Sequence, residues 1–346
     1  MGLGDFHYFR RMILVTGGTG LVGSHLLYKL VSTKETVRAI YRSERKLQQV
    51  KAVFATYTSD YKSLFEAIEW VQADILDIPS LTEAFKNITH VYHCAAFVSF
   101  EPNKYHVLRK ANIEGTANIV NFCISNNIEK LCYVSSIATL GKAINNEFIN
   151  EETNWDPEND NSVYAITKYG AEMEVWRATQ EGLRTVIVNP GVILGAGIWK
   201  FGTGNLFKRA DKGLKYYTSG TVGLIAVEDV VTIMIALMKS ALVNERFVLV
   251  AENWTYKQFL QALALAVKAK KPEKMASPFL LSFAWKFDWL RHKLTGKRRQ
   301  LTKNLAASLT TETHYSSEKI KSALNYTFAD INDTIYKIGD CYRKQD

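Results

Sequence analysis

Two residues four positions apart, Tyr164 and Lys168, are the side chains in this sequence whose types and spacing most directly suggest chemistry. Positions i and i+4 share one helix face, so a helix through this segment sets a phenol beside an ammonium. A free tyrosine, with a pKa of about 10, is a poor base at neutral pH. A neighbouring cation stabilises the phenolate and lowers that value. Such a phenol can exchange a proton with a substrate oxygen. Ser135 and Ser136 close the apolar run that precedes this segment, and a serine hydroxyl at a strand end could hold the same oxygen. The pair means little alone, because a tyrosine and a lysine at this spacing are common.

Context gives the pair its weight. Met12-Ile13-Leu14-Val15 runs directly into Thr16-Gly17-Gly18-Thr19-Gly20-Leu21-Val22-Gly23-Ser24. A glycine-rich turn from strand to helix lets backbone approach a pyrophosphate. It then presents free N–H groups and a positive dipole end. Gly17 is expected to permit the tight turn, Gly20 the close approach, and Gly23 the packing of helix on sheet. Thr19, Gly20, Leu21 and Val22 are therefore expected at the cofactor. The implied cofactor is a dinucleotide whose nicotinamide exchanges hydride while Tyr164 exchanges the proton. Lys168 is expected to reach the nicotinamide ribose as well.

The second strand ends in Tyr41-Arg42, with Arg45 and Lys46 close behind. An Asp or Glu usually holds a ribose 2′-hydroxyl at this position. Arginine instead pairs with a 2′-phosphate through its planar fork, so NADP(H) is the expected cofactor and NAD(H) the alternative. Asp74, followed by Ile75, comes after the third strand and is placed to accept a hydrogen bond from adenine. Ala95 and Ala96 end the fourth strand with small residues that leave room for cofactor against backbone. His93, just before them, is expected to be a packed strand residue.

The elements that must position these groups follow from alternation of β-branched runs and helical patterns. Strands are expected at 12–16, 36–41, 69–73, 89–94, 130–135 and 184–189. Helices are expected from Gly20, near 60–68 and 79–87, over 105–126, and through Tyr164 to about Glu181. This rhythm predicts an α/β fold with a doubly wound parallel sheet of the Rossmann type rather than a barrel. Residues 11–195 are expected to form the dinucleotide-binding domain. Residues 196–346 form a smaller, mainly helical substrate lobe, with parts of 220–252 returning to the sheet domain.

The chain has 346 residues, 47% of them hydrophobic, and a net charge of +9. It is long enough to bury a large core. Much of the basic excess lies near the C-terminus, in Arg291-His292-Lys293, Lys297-Arg298-Arg299 and around Lys268 to Lys274. That distribution reads as a solvated face, or as steering of an anionic cofactor, rather than as a nucleic-acid site. No apolar window is long enough to span a membrane. Met1 to Arg11 lacks the apolar core of a secretory signal, and Phe6 occupies the place where a myristoylation motif wants Ser or Thr. Cys94, Cys123, Cys132 and Cys341 have no metal-ligand spacing, so no metal is expected. A reducing, cytoplasmic setting fits them. The segment from Pro278 to Leu290 could lie on an anionic membrane surface, but the favoured expectation is a helix that faces the core or covers the pocket.

In order along the chain, several motifs resemble the extended short-chain dehydrogenase/reductase family. They are Thr16 to Gly23, Asp74-Ile75, His93-Cys94-Ala95-Ala96, Asn112-Ile113-Glu114-Gly115-Thr116, Tyr133-Val134-Ser135-Ser136, Tyr164 to Lys168, and Asn189 to Gly195. The resemblance implies a Ser–Tyr–Lys triad. Counting back from Gly141 assigns its hydroxyl to Ser136, with Ser135 beside it near the cofactor. It also implies that Asn112 supports the strand carrying the active-site loop, that Pro190 and Val192 lie near the nicotinamide, and that the sheet domain's helices form a homodimer. The family's sugar-nucleotide enzymes usually carry Arg-x-x-Asn where this chain has Asn189 and Val192. Phe97-Val98-Ser99-Phe100, Trp199, Phe201 and Phe207 suggest an apolar pocket, which places Val98, Ser99, Asn189 and Phe207 at the substrate. The pattern resembles the dihydroflavonol reductase, cinnamoyl-CoA reductase and 3β-hydroxysteroid dehydrogenase branch. The implied activity is NADP(H)-dependent oxidation or reduction of a small-molecule carbonyl or secondary alcohol. A nucleotide-sugar epimerase or dehydratase is the alternative, and a non-catalytic dinucleotide sensor a further one.

Overall fold

A computed structural model describes residues 12–142, 147–296, 299 and 301–344. The N-terminal eleven residues, and Lys297 and Arg298 of the basic run, lie outside the described residues.

Short apolar runs with β-branched residues form the first six strands: Met12–Thr16 (β1), Thr36–Tyr41 (β2), Glu69–Gln72 (β3), His90–His93 (β4), Lys130–Val134 (β5) and Thr185–Pro190 (β6). Three-residue Val192–Leu194 (β7) follows, then Thr221–Ala226 (β8), Glu245–Leu249 (β9) and Glu252–Thr255 (β10). The main sheet has seven parallel strands in the order β9-β6-β5-β4-β1-β2-β3. Parallel strands are covered on both faces and so carry nearly continuous hydrophobic runs. Ile13, Leu14, Val15, Leu131, Cys132, Val186, Ile187 and Val188 are all buried accordingly.

One face of the sheet packs against Leu21–Ser32 (α1), Leu47–Ala55 (α2) and a later helix. The other face packs against Gly115–Ser125 (α3) and Val163–Gln180 (α4). Val227–Lys239 (α5) is that later helix; it packs on α1, and β9 then joins the sheet beside β6. Strands β7, β8 and β10 form a separate three-stranded sheet. Its core includes Leu194, Phe207, Phe259, Leu263, Ile331 and Ile335.

Three details differ from the sequence reading. Helix α2 was not anticipated; Val50, Val53 and Phe54 bury its apolar stripe. The helix expected over 105–126 is interrupted by a π-helical turn at Lys110–Glu114, a feature frequent at functional sites. The aromatic segment forms Pro278–Thr295 (α6), capped by Ser277 and ended by left-handed Gly296. It does not face the core, because its only buried residue is Asp288. The inward side is held by polar contacts, with Arg291 and the Leu301 N–H donating to the Asp288 carboxylate at 2.6 and 3.1 Å. No helix among the described residues is long and apolar enough to cross a membrane.

Candidate active site

The sheet reverses its winding between β1 and β4, and ligands of open α/β sheets bind outside the carboxyl ends at such a point. Gly17 has φ of +68°, and a Cβ there would lie 2.5 Å from the Ala95 nitrogen at the end of β4. A Cβ on Gly23 would stand 2.3 Å from the Gly17 oxygen, so α1 starts flush against the turn. At Gly20 the same test meets only the Gly17 oxygen at 3.3 Å. The side facing the cleft is therefore open to close approach. Gly20 also N-caps α1 without a side-chain bond, which leaves the first-turn N–H groups available to an anion.

A cleft runs from this turn past Thr19, Tyr41, Arg42, Lys46, Asp74 and Ile75 to Ala95 and Ala96. These residues fit a dinucleotide: glycine backbone for the pyrophosphate at one end, cations at the other. Arg42 lies 3.7 Å from Asp74, and both are substantially exposed. The ammonium of Lys46 is pushed below its ordinary range by burial and by repulsion from Arg42 and Arg45. Three cations thus converge where the second strand ends. The side chains of Leu21 and Val22 pack on the core, so their contribution to the cleft is backbone. Pro190 closes β6 and Val192 opens β7.

The neighbouring serines diverge because successive strand residues point to opposite sides. Ser136 contacts the Tyr164 hydroxyl, and its Oγ accepts the Ala138 N–H at 3.1 Å. Ser135, expected at the cofactor, is instead buried and donates to Glu172 Oε2 at 2.5 Å. Tyr164 sits edge-on to Phe100, with ring centroids 5.4 Å apart. Burial raises its phenol above the ordinary value, and the Ser136 contact partly offsets this. The expected lowering by Lys168 is not what this geometry gives. Lys168 Nζ donates to Tyr133 Oη at 2.6 Å and to the Val134 carbonyl at 2.9 Å. Burial draws the lysine down to about 7 even though Glu172 and Cys94 favour its charge.

Behind Ser136 and Lys168 lies a carboxylate that sequence reasoning missed. Glu172 is fully buried and accepts from Ser135, Thr139, Asn189 and Trp176, with Arg246 at 3.3 Å. Its spacing, four residues beyond Lys168 on the same helix, was the available signal. Asn189, expected at the substrate, is fully buried; its amide reaches Thr139 and Glu172, both at 2.9 Å, and the Ser136 carbonyl at 3.2 Å. Phe207 is likewise displaced from the expected wall: it is fully buried in the smaller core against Trp199. Ser99 is buried and accepts the Glu101 N–H, whereas Val98 stands exposed on the loop after β4. Asn112 fastens that loop. Its Oδ1 accepts the Phe97 N–H at 2.7 Å, and its Nδ2 donates to the Phe97 carbonyl and to Thr167. His93 is fully buried between Thr16 and Thr116, and burial holds it down to about 3. A neutral imidazole so enclosed is a packing group.

An open parallel sheet with a glycine turn at its winding reversal defines a dinucleotide-binding α/β protein. The chain belongs to the NAD dependent epimerase/dehydratase family, whose sequence profile matches residues 13–249. It is 26% identical over 273 residues to sterol demethylase protein B of Methylococcus capsulatus, covering 78% of each chain. It is 28% identical over 249 residues to tetraketide alpha-pyrone reductase 2 of Arabidopsis thaliana, covering 68% of this chain and 76% of that one. The solved UDP-glucose 4-epimerase of Thermotoga maritima shares the fold, with a TM-score of 0.74 at 18% identity over 96% of this chain and 99% of that one.

Proposed function

We propose that this protein is an NADP(H)-dependent oxidoreductase that interconverts an apolar carbonyl compound and its secondary alcohol. The observation that carries the reading is the Ser136–Tyr164 contact at the carboxyl rim of the sheet, one helical turn from Lys168. A bound nicotinamide supplies or takes up the hydride. Tyr164 Oη gives its proton to the carbonyl oxygen in reduction and recovers it in oxidation. Ser136 Oγ steadies that oxygen. Lys168, fixed by Tyr133 and Val134, holds its ammonium on the same helix face, toward the ribose.

The preference for a 2′-phosphate rests on Arg42 and Lys46 in the cleft and on the absence of an acid at the end of β2. An apolar substrate is supported by Phe97, by exposed Val98 and by Phe100 against Tyr164. A polar sugar diphosphate would leave hydrogen-bonding groups unpaired there. The reductase and sterol-processing names of two relatives agree with it. Exposed Val107 and Ile166, on helices in contact, offer a face for homodimerisation.

The test is a panel of aldehydes, ketones and UDP-sugars, followed by reduced-nicotinamide absorbance with both coenzymes. Ketone- or aldehyde-dependent consumption of NADPH is expected. Conversion of a UDP-sugar without net coenzyme change would make the protein an epimerase, and binding without turnover would make it a sensor. Tyr164→Phe should retain coenzyme affinity and lose about 10²- to 10⁴-fold in turnover, the usual worth of a general acid. Unchanged turnover would dismiss Tyr164.

A further inference from the structure

We propose that α6 lies flat on a membrane surface rich in anionic lipid, with its aromatic face in the headgroup region. The proposal is independent of the reaction assigned above. The helix is amphipathic in the inverted sense. Phe279 is 83% exposed, Phe283 62%, Phe287 60% and Leu294 76%, with Leu280 and Leu290 exposed among them. At about 100° per residue, these six side chains fall within an arc of about 100°. Phe283 and Phe287 stack at 6.5 Å, so the stripe is continuous. A helix of a water-soluble protein turns such a stripe to the core. Here the core side carries Asp288 with its Arg291 partner, and Arg299 lies 3.9 Å away.

Charge identifies the occupant. Lys286 and Lys293 are exposed along one edge of the stripe, and their ammonium groups lie over the Trp285 and Trp289 rings at 5.7 and 5.4 Å. Lysine stems can bury against hydrocarbon while their heads reach phosphate, and a tryptophan at the same edge suits the boundary between acyl chain and headgroup. The sequence is basic on both sides of the helix, with Lys270, Lys271 and Lys274 before it and Lys297-Arg298-Arg299 after it. The only acid on α6 is Asp288, which is buried and paired. A second copy would therefore meet this face with the same lysines and no free carboxylate on the helix to answer them. The helix cannot cross a bilayer, which leaves the in-plane orientation.

The experiment is flotation of the full chain with vesicles of phosphatidylcholine alone, or with about one third phosphatidylglycerol to give an anionic surface. Wild type is expected to float with the anionic vesicles and to detach as salt rises. The triple variant Phe279→Ser/Phe283→Ser/Phe287→Ser should bind at least about tenfold more weakly, having lost most of its insertable area. Lys286→Glu/Lys293→Glu should lose the preference for anionic over neutral vesicles. Both variants should retain the wild-type thermal midpoint, because the replaced side chains face solvent. Failure of wild type to float, or equal flotation of wild type and the triple variant, would overturn the proposal. So would a lipid-free dimer that the triple variant converts to monomer, since a second copy would then cover the face.

Discussion

At the scale of single residues, the proposed chemistry makes separate demands on Arg42, in the cleft, and on buried Lys168. If Arg42 receives a 2′-phosphate, Arg42→Ser removes charge-assisted hydrogen bonds that only NADPH can make. The Kd for NADPH should rise about 10- to 100-fold, with NADH changing by less than about threefold. Fluorescence titration with both coenzymes checks this, and equal weakening of the two would return Arg42 to the status of a surface cation. Lys168 carries a pH signature. Burial holds it at about 7 against 10.5 in an open chain. Between those values the unfolded chain binds a proton that the folded chain does not, so stability rises with pH across that window. Measured by urea denaturation of nucleotide-free protein, wild type should gain stability relative to Lys168→Met from pH 7 to about pH 9.5. A flat difference would remove the buried-lysine account. The pairing of Tyr164 with Lys168 could be read from sequence because their spacing is local. Ser135 and Asn189 were not, because a polar residue beside an active site looks the same in sequence whether it meets substrate or a buried carboxylate. Glu172, the carboxylate that claims them both, gathers partners from the segment after β5, from β6 and from β9 that are distant in sequence. Phe207 was misassigned for the converse reason: an aromatic side chain signals core and pocket wall equally.

At the scale of elements, the strand–glycine turn–helix unit was readable because nearest-neighbour sterics specify it. Gly23 shows the strength of that constraint. Gly→Ala within a helix ordinarily stabilises, but here the added methyl would stand 2.3 Å from the Gly17 oxygen and 2.8 Å from the Gly18 Cα. Neither backbone atom can move without opening the turn. Gly23→Ala should therefore cost about 1–3 kcal/mol, the usual range for overpacking, and weaken coenzyme binding in parallel. Thermal melts and titrations check both, and a stabilised variant would mean that α1 is not seated as described. The elements that escaped the sequence reading were not fixed locally. Strand β7, with three residues, is too short to display a period, and its place is set by pairing with β8 some 30 residues on. The π-helical turn at Lys110–Glu114 has no local sequence signature; Asn112 lies within it and bonds to both Phe97 and Thr167.

At the scale of the whole molecule, a linear division near residue 195 conceals how the last third of the chain is stitched back onto the sheet domain. Val250, just past β9, donates to Ser317 at 2.8 Å, and Asn253 exchanges two bonds with the Tyr315 backbone at 2.9 Å each. Asp229, on α5, accepts from Tyr326 Oη at 2.8 Å and from the Ala329 N–H at 3.0 Å. Ile320, Tyr326 and Phe328 belong to the same apolar core as α1 and α5. Two lobes that share a core cannot lose one part without exposing the other, so unfolding should be a single cooperative event. Differential scanning calorimetry is expected to give one transition. Asp229→Ala removes one carboxylate that accepts from both a half-buried phenol and a backbone N–H of the C-terminal segment, a loss of about 1–3 kcal/mol in all. That variant should lower the transition as a whole without splitting it. Two resolved transitions in either protein, or a transition unmoved by the loss of Asp229, would mean that the C-terminal segment rests on the sheet domain without sharing its stability.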